Sequence, residues 1–136
     1  MADEAIFAAA AYNRGQWLQE LVSPAVQIYF SSEQHTNTVT GFISAALIGD
    51  DMEIRKVGVL AGYRRQGIAE ALLRAVIISF KTEQPQLVRC LIDVAADNTG
   101  ALAFYEKSGF VEFARRRKYY AHGADAILME KILSAM

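Results

Sequence analysis

Residues 64 to 69, Arg64-Arg65-Gln66-Gly67-Ile68-Ala69, put two guanidinium groups and a glycine at one turn. That combination suits a phosphate or diphosphate. The first backbone N–H groups of a helix have no partner inside it, and the macrodipole adds partial positive charge there. A turn opening directly into a helix can therefore wrap an anion, with Gly67 allowing close backbone approach and Arg64 and Arg65 adding cationic side chains. By residue type alone the stretch reads equally as a solvated basic loop whose Gly serves only backbone geometry, so its context decides. Cys90 is the lone cysteine, which excludes an internal disulfide, and its strand-like surroundings favour a buried, inert thiol. His35 and His122 fall in turns without a companion acid or Cys nearby, so neither is assigned to metal or catalysis, and no metal site is expected.

The elements around the turn are legible. Val57-Gly58-Val59-Leu60 reads as a strand leading into it, and behind it Ile68, Leu72, Val76 and Phe80 recur every four residues beside Ala69, Leu73 and Ile77. This is the apolar face of a helix that packs on a sheet. A strand over 87–94 follows, then a helix capped by Asn98 and stopped at Gly109. Upstream, residues 3–22 read as helical, broken near Asn13-Arg14-Gly15 and ended by Ser23-Pro24. Val26, Ile28 and Phe30 alternate as a half-buried strand, Glu33 to Asn37 turn the chain, and Thr38 to Ile48 return as its hairpin partner. In the next strand, Met52 to Leu60, the apolar pair Met52 and Ile54 has one parity and the pair Val57 and Val59 the other. That slip means either a β-bulge near Arg55-Lys56-Val57 or a strand end buried on both faces.

Composition agrees with a single domain over 1–136. The chain has 136 residues, of which 53% are hydrophobic, above the usual share of about 45–50%. A formal net charge of −1 and a pI near 6.1 argue against general nucleic-acid binding. The apolar run from Ile6 to Ala11 is too brief to span a bilayer and has no basic leader, so a soluble, cytoplasmic protein without a membrane partner is expected.

Arg64, Gly67 and Ala69 fill the slots of a pattern of Arg or Gln, two residues, Gly, one residue, Gly or Ala. Asn98, Tyr105, Gly109 and Phe110 match a second motif: an Asn, then a helix carrying a Tyr and closing with Gly-Phe. Together, in this order and spacing, they resemble the GCN5-related N-acetyltransferases (the GNAT superfamily), from about residue 25 to the end. The resemblance implies an α/β (α+β) GNAT fold, a mixed and mostly antiparallel sheet flanked by helices, with a splayed cleft for acetyl-CoA. It implies that residues Arg64, Arg65, Gln66, Gly67, Ile68 and Ala69 hold the diphosphate, and that Asn98 adds a hydrogen bond to CoA. It also favours the bulge, which leaves backbone N–H groups at Val57, Gly58 and Val59 free for the thioester carbonyl and the oxyanion formed on attack. Tyr105, otherwise an apolar-face residue beside Leu102 and Phe104, becomes the general acid for the departing CoA sulfur, since a phenol of pKa near 10 keeps its proton at neutral pH.

Within the superfamily the tail, Arg115 to Tyr120 and Ala124 to Met129, is most similar to bacterial ribosomal-protein alanine N-acetyltransferases. Those carry Glu-Val-Arg where this chain reads Asp93-Val94-Ala95. Asp93 thus takes the slot of the general base, with a reach shorter by about 1.5 Å that a bridging water can restore. As a strand-end acid it also suits a hydrogen bond to the following turn. Deprotonating an α-amine of pKa near 7.8 at pH 7 costs about 1 kcal/mol, against about 4.6 for lysine, so a modest base favours a protein or peptide N-terminus. Tyr119 and Tyr120, just before a turn at His122-Gly123, are placed to bind such a peptide or to pack across strands. A small-molecule amine as acceptor is the second reading, and a non-catalytic acyl-CoA-binding module the third. Finally, the superfamily usually begins with a strand, whereas this chain starts with helix-like sequence. The first strand is expected to be missing, leaving the edge at 25–30 to be covered by the N-terminal helix or by a second copy in a homodimer.

Overall fold

The computed structural model describes residues 26–133. Its order is β1 (Val26–Ser32), β2 (Val39–Ile48), β3 (Asp51–Val59), a single 3-10 turn (Ala61–Tyr63), α1 (Ile68–Glu83), β4 (Arg89–Ala95), α2 (Thr99–Lys107), β5 (Val111–Arg116) and β6 (Ala126–Ile132). The strands form one sheet in the order β1-β2-β3-β4-β6-β5. Every neighbouring pair is antiparallel except β3 and β4, which are joined by the crossover through α1 and run parallel. This is the mixed, mostly antiparallel sheet with flanking helices that the resemblance implies. The N-terminal helices, the missing first strand and the cover over the β1 edge concern residues outside those described.

The phase slip in β3 is a bulge. Ser44 of β2 pairs with Lys56 while Ala45 pairs with Ile54, so Arg55 is the extra residue. The bulge turns Met52, Ile54, Val57 and Val59 all into the core, where each is no more than 6% exposed. From there β3 leaves β4. Only Met52 with Cys90 and Glu53 with Leu91 are in register, and beyond this rung the strands part although both continue.

Helix α1 buries Leu72, Leu73, Val76, Ile77 and Phe80, the stripe read from its period, against β1, β2 and β3. Gly41 on β2 fixes how close its first turn comes: a Cβ there would stand 3.0 Å from the Gly58 carbonyl oxygen and 3.1 Å from Ile68 Cγ2. The helix start is thereby pinned beside the end of β3. Asn98 caps α2, its side-chain oxygen accepting from the Ala101 N–H at 3.1 Å, and Gly109 ends the helix at φ 97°. Phe30 corrects the alternation expected for β1. It is 57% exposed and outside the core.

Candidate active site

The turn after β3 has the geometry of an anion cradle. Gly67 caps α1 at φ 77°, a left-handed conformation that L side chains adopt only with strain. A Cβ on it would meet no atom within 4 Å, so the space in front of the backbone is open. The first intrahelical bond runs from the Ala71 N–H to the Gly67 carbonyl, which leaves the N–H groups of Ile68, Ala69 and Glu70 without helical partners. Arg65 is also left-handed, at φ 62°. Arg64, Arg65, Gly67, Ile68 and Ala69 line a cleft of about 310 Å³, together with Val59, Tyr63, Phe104, Lys107 and others. The sequence reading missed Phe104 and Lys107, which the end of α2 brings across to the start of α1. By its place in the sequence Lys107 is only a cation in the last turn of α2, suited to the helix dipole. Gln66, Val57, Gly58 and Asn98 do not line this cleft, and the Asn98 oxygen is engaged in its cap.

Val57, Gly58 and Val59 instead border the splay. The Leu60 N–H donates to the Thr40 carbonyl at 2.8 Å, so that group points toward β2. Backbone direction alternates along a strand, which turns the N–H groups of Val59 and Val57 toward the parted β4. These are donors at a sheet edge facing a gap, the arrangement an oxyanion requires.

Tyr105 and Asp93 lie on opposite sides of the sheet, and neither lines the cleft at Gly67. Tyr105 is 2% exposed in the core between the sheet and the helices, with its ring edge-on to Phe104 at 5.1 Å and Phe110 at 5.3 Å. Burial raises its phenol well above the usual range, with a smaller push from Cys90 nearby, so the group stays protonated at any physiological pH. Cys90 is buried as expected, its thiol pushed up to about 12 chiefly by burial. Asp93 is exposed on the other face, since its neighbours Ile92 and Val94 point into the core. Around it gather Glu53 and Tyr120. Burial and then the Asp93 charge raise the Glu53 carboxyl, and the same two causes, in the same order, raise the Tyr120 phenol. Glu53 carried no motif, and a parallel pairing between distant segments is what reveals it.

The loop between β5 and β6 leans on this corner. Tyr120 is half-buried while Tyr119 is 50% exposed, with the two rings edge-to-face at 5.1 Å. Of the pair, Tyr120 borders the acid cluster. His122 has a companion acid after all: its Nε2 lies 3.1 Å from Asp97 Oδ2, and its ring stacks on Tyr120. The contact ties the loop to the β4–α2 turn across 25 residues of sequence, a distance at which residue order gives no signal. Among the described residues no group of His, Cys, Asp and Glu is placed to hold a metal ion, and no helix is long and apolar enough to cross a membrane.

This geometry has counterparts among known proteins. N-alpha-acetyltransferase RimI of Mycobacterium tuberculosis is 31% identical over 127 residues, covering 90% of this chain and 73% of that protein. The crystal structure of the ribosomal-protein-S18-alanine N-acetyltransferase from Escherichia coli superposes with a TM-score of 0.77 at 25% identity, over 90% of this chain and 78% of that one. Arabidopsis thaliana NAA60, solved in complex with acetyl-CoA, shares the fold with a TM-score of 0.76 at 19% identity, over 90% of this chain and 85% of that one. The chain spans 61%, 46% and 43% of the length of three other curated relatives. Residues 3–110 match the model of the acetyltransferase (GNAT) family, and the chain belongs to that family.

Proposed function

We propose that this chain, one domain over residues 1–136, is an acetyl-CoA-dependent N-acetyltransferase. It transfers the acetyl group to a primary amine, the α-amine of a protein or peptide N-terminus, in the cytoplasm. The observation that carries this reading is the parting of β3 from β4 after the Glu53–Leu91 rung, where the end of β3 leads into the anion cradle at Gly67. The residues present fit acetyl-CoA. The backbone from Gly67 to Ala69, with Arg64, Arg65 and Lys107 nearby, suits its phosphates, and the gap in the sheet suits its pantetheine arm. When bound it supplies an activated acetyl thioester.

The acceptor enters from the face that carries Asp93. A carboxylate there takes one proton from the incoming ammonium, and the freed amine forms the C–N bond at the thioester carbonyl. The Val57 and Val59 N–H groups hold the charge that develops on the carbonyl oxygen. As the C–S bond breaks, Tyr105 gives its proton to the departing thiolate and recovers one from the new C–N nitrogen through water. One proton leaves in total, the one taken at the start. Tyr120 and Tyr119 flank the acceptor's approach. The relatives named for protein N-termini and the low cost of deprotonating an α-amine support that acceptor over lysine.

An acceptor screen tests the reading. Peptides beginning with Ala should release CoA thiol far faster than a panel of small amines. Preference for a small amine would replace the acceptor class, and tight acetyl-CoA binding with no thiol release for any amine would make the chain a binding module. We also propose that β1, paired only with β2 among the described residues and carrying the exposed Phe30, joins a second copy edge to edge. A monomer by light scattering at micromolar concentration refutes the dimer.

A further inference from the structure

A run of cations, Arg115-Arg116-Arg117-Lys118, ends β5 and opens the loop that carries Tyr119 and Tyr120. Arg115 is engaged inside this region, 3.5 Å from Glu112 and 3.8 Å from Asp125. Arg116 is placed differently. It lies opposite Ala126 on β6, which in turn lies opposite Ala95 on β4. Directly opposed residues of antiparallel strands share a face, and so do residues two apart on one strand, such as Ala95 and Asp93. Arg116 therefore stands on the face from which an acceptor enters. It is exposed, with its guanidinium carbon 5.4 Å over the centroid of the Tyr119 ring. Among the described residues no carboxylate lies within salt-bridge distance of it. A ring beneath a guanidinium holds its plane and leaves the N–H groups at its edge for a carboxylate.

We infer that this chain selects peptide acceptors whose second or third residue is acidic, with Arg116 receiving that carboxylate while the α-ammonium sits at Asp93. The inference rests on the N-terminal acetyltransferase reading and names the class of peptide that the site takes. The spacing fits. With strands about 4.8 Å apart and a rise of about 3.4 Å per residue, the Arg116 Cα stands about 12 Å from the Asp93 Cα. An extended peptide with its amine at Asp93 has advanced about 3–7 Å at its second and third residues, and the two side chains close the remainder. The charges on this face already act on one another: burial and then Asp93 raise the Glu53 carboxyl, while Arg55 and Arg116 oppose them. Acids stand where the ammonium must go, and a guanidinium stands one or two residues beyond. A basic second residue would meet like charge there, so the site discriminates by repulsion as well as attraction. The carboxylate of a free amino acid lies too close to its own amine to reach Arg116.

The test measures kcat/KM of the full-length protein on peptides that begin Ala-Asp, Ala-Asn or Ala-Lys and are otherwise identical. Wild type should prefer Asp to its neutral isostere Asn by about threefold to tenfold, and Asn to Lys by a similar factor. The difference should lie in KM with kcat nearly constant, as for a contact made equally in the ground and transition states. It should shrink at about 1 M salt, where the Debye length is about 3 Å. Arg116→Gln should abolish the preference, Arg116→Lys should keep part of it, and Arg116→Glu should invert it in favour of Lys. Arg74→Glu, the same charge change on α1 at a residue paired with Glu70, should leave the ratios as they are. Each ratio is internal to one variant, so a partly unfolded sample does not alter it. Wild-type rates equal within about twofold on the three peptides, or an Arg116→Glu enzyme that still prefers Asp, would overturn this inference and leave the acetyltransferase reading standing. Turnover of free aspartate or another small amine with none of the peptides refutes the acceptor class and this inference with it. Thiol release with no amine at all refutes both as well.

Discussion

Replacing Gly67 by Asp separates phosphate binding from folding. The backbone at 67 is left-handed, at φ 77°, which costs an L residue about 1–2 kcal/mol. Asp tolerates that region better than most and is a favoured N-cap, so part of the strain is recovered. No atom lies within 4 Å of the new Cβ, and the folded protein should therefore lose little stability. Binding is a different matter. A carboxylate about 5 Å from a phosphate costs about 0.8 kcal/mol per phosphate charge at the dielectric of water and about 3 kcal/mol at the effective value near a protein surface. Two diphosphate charges then lower acetyl-CoA affinity about fifteenfold at least. Gly67→Ala shares the positive φ without the charge and isolates the steric part. Raising the salt to about 1 M, where the Debye length is about 3 Å, should narrow the gap between the two variants. Calorimetry of each, with thermal denaturation as the folding control, gives the answer. A folded Gly67→Asp protein that binds acetyl-CoA within twofold of wild type would refute the cradle.

Tyr105→Phe keeps the ring packing on Phe104 and Phe110; steady-state kinetics should show kcat down by about 10²–10⁴ with acetyl-CoA affinity and melting temperature nearly unchanged. Gly41→Ala drives a methyl group toward the Gly58 carbonyl and Ile68, and denaturant titration should show a loss of about 1–3 kcal/mol with weaker acetyl-CoA binding as α1 is displaced. Burial raises Cys90 from 9.0 to about 12, so its thiol contributes stability that is whole below pH 9 and is lost as pH climbs from 9 toward 12, at up to about 1.4 kcal/mol per pH unit. Cys90→Ala should flatten that part of the stability profile relative to wild type.

Local chemistry was legible because it is written in neighbouring residues. The α1 stripe, the Asn98 cap and the Gly109 stop each depend on spacing within a few positions, and the structure realises them; the parity slip in β3 left a bulge and two-faced burial open, and the structure shows the bulge. Phe30 escaped because alternation reports which residues share a face, and it cannot say whether anything covers that face. The splay, the nearness of the Asp93 charge to Glu53, the Asp97–His122 tie and the convergence of Lys107 and Phe104 on the Gly67 turn join segments far apart in sequence. Their positions follow from the parallel registration of β3 with β4 and from the close approach at Gly41. Among the described residues, sequence alone thus determined the elements and the cofactor-like turn, through local periodicity and backbone preference. Only tertiary structure decided which carboxylates meet at the gap, because strand register is fixed by burial of the whole sheet and not by any one strand.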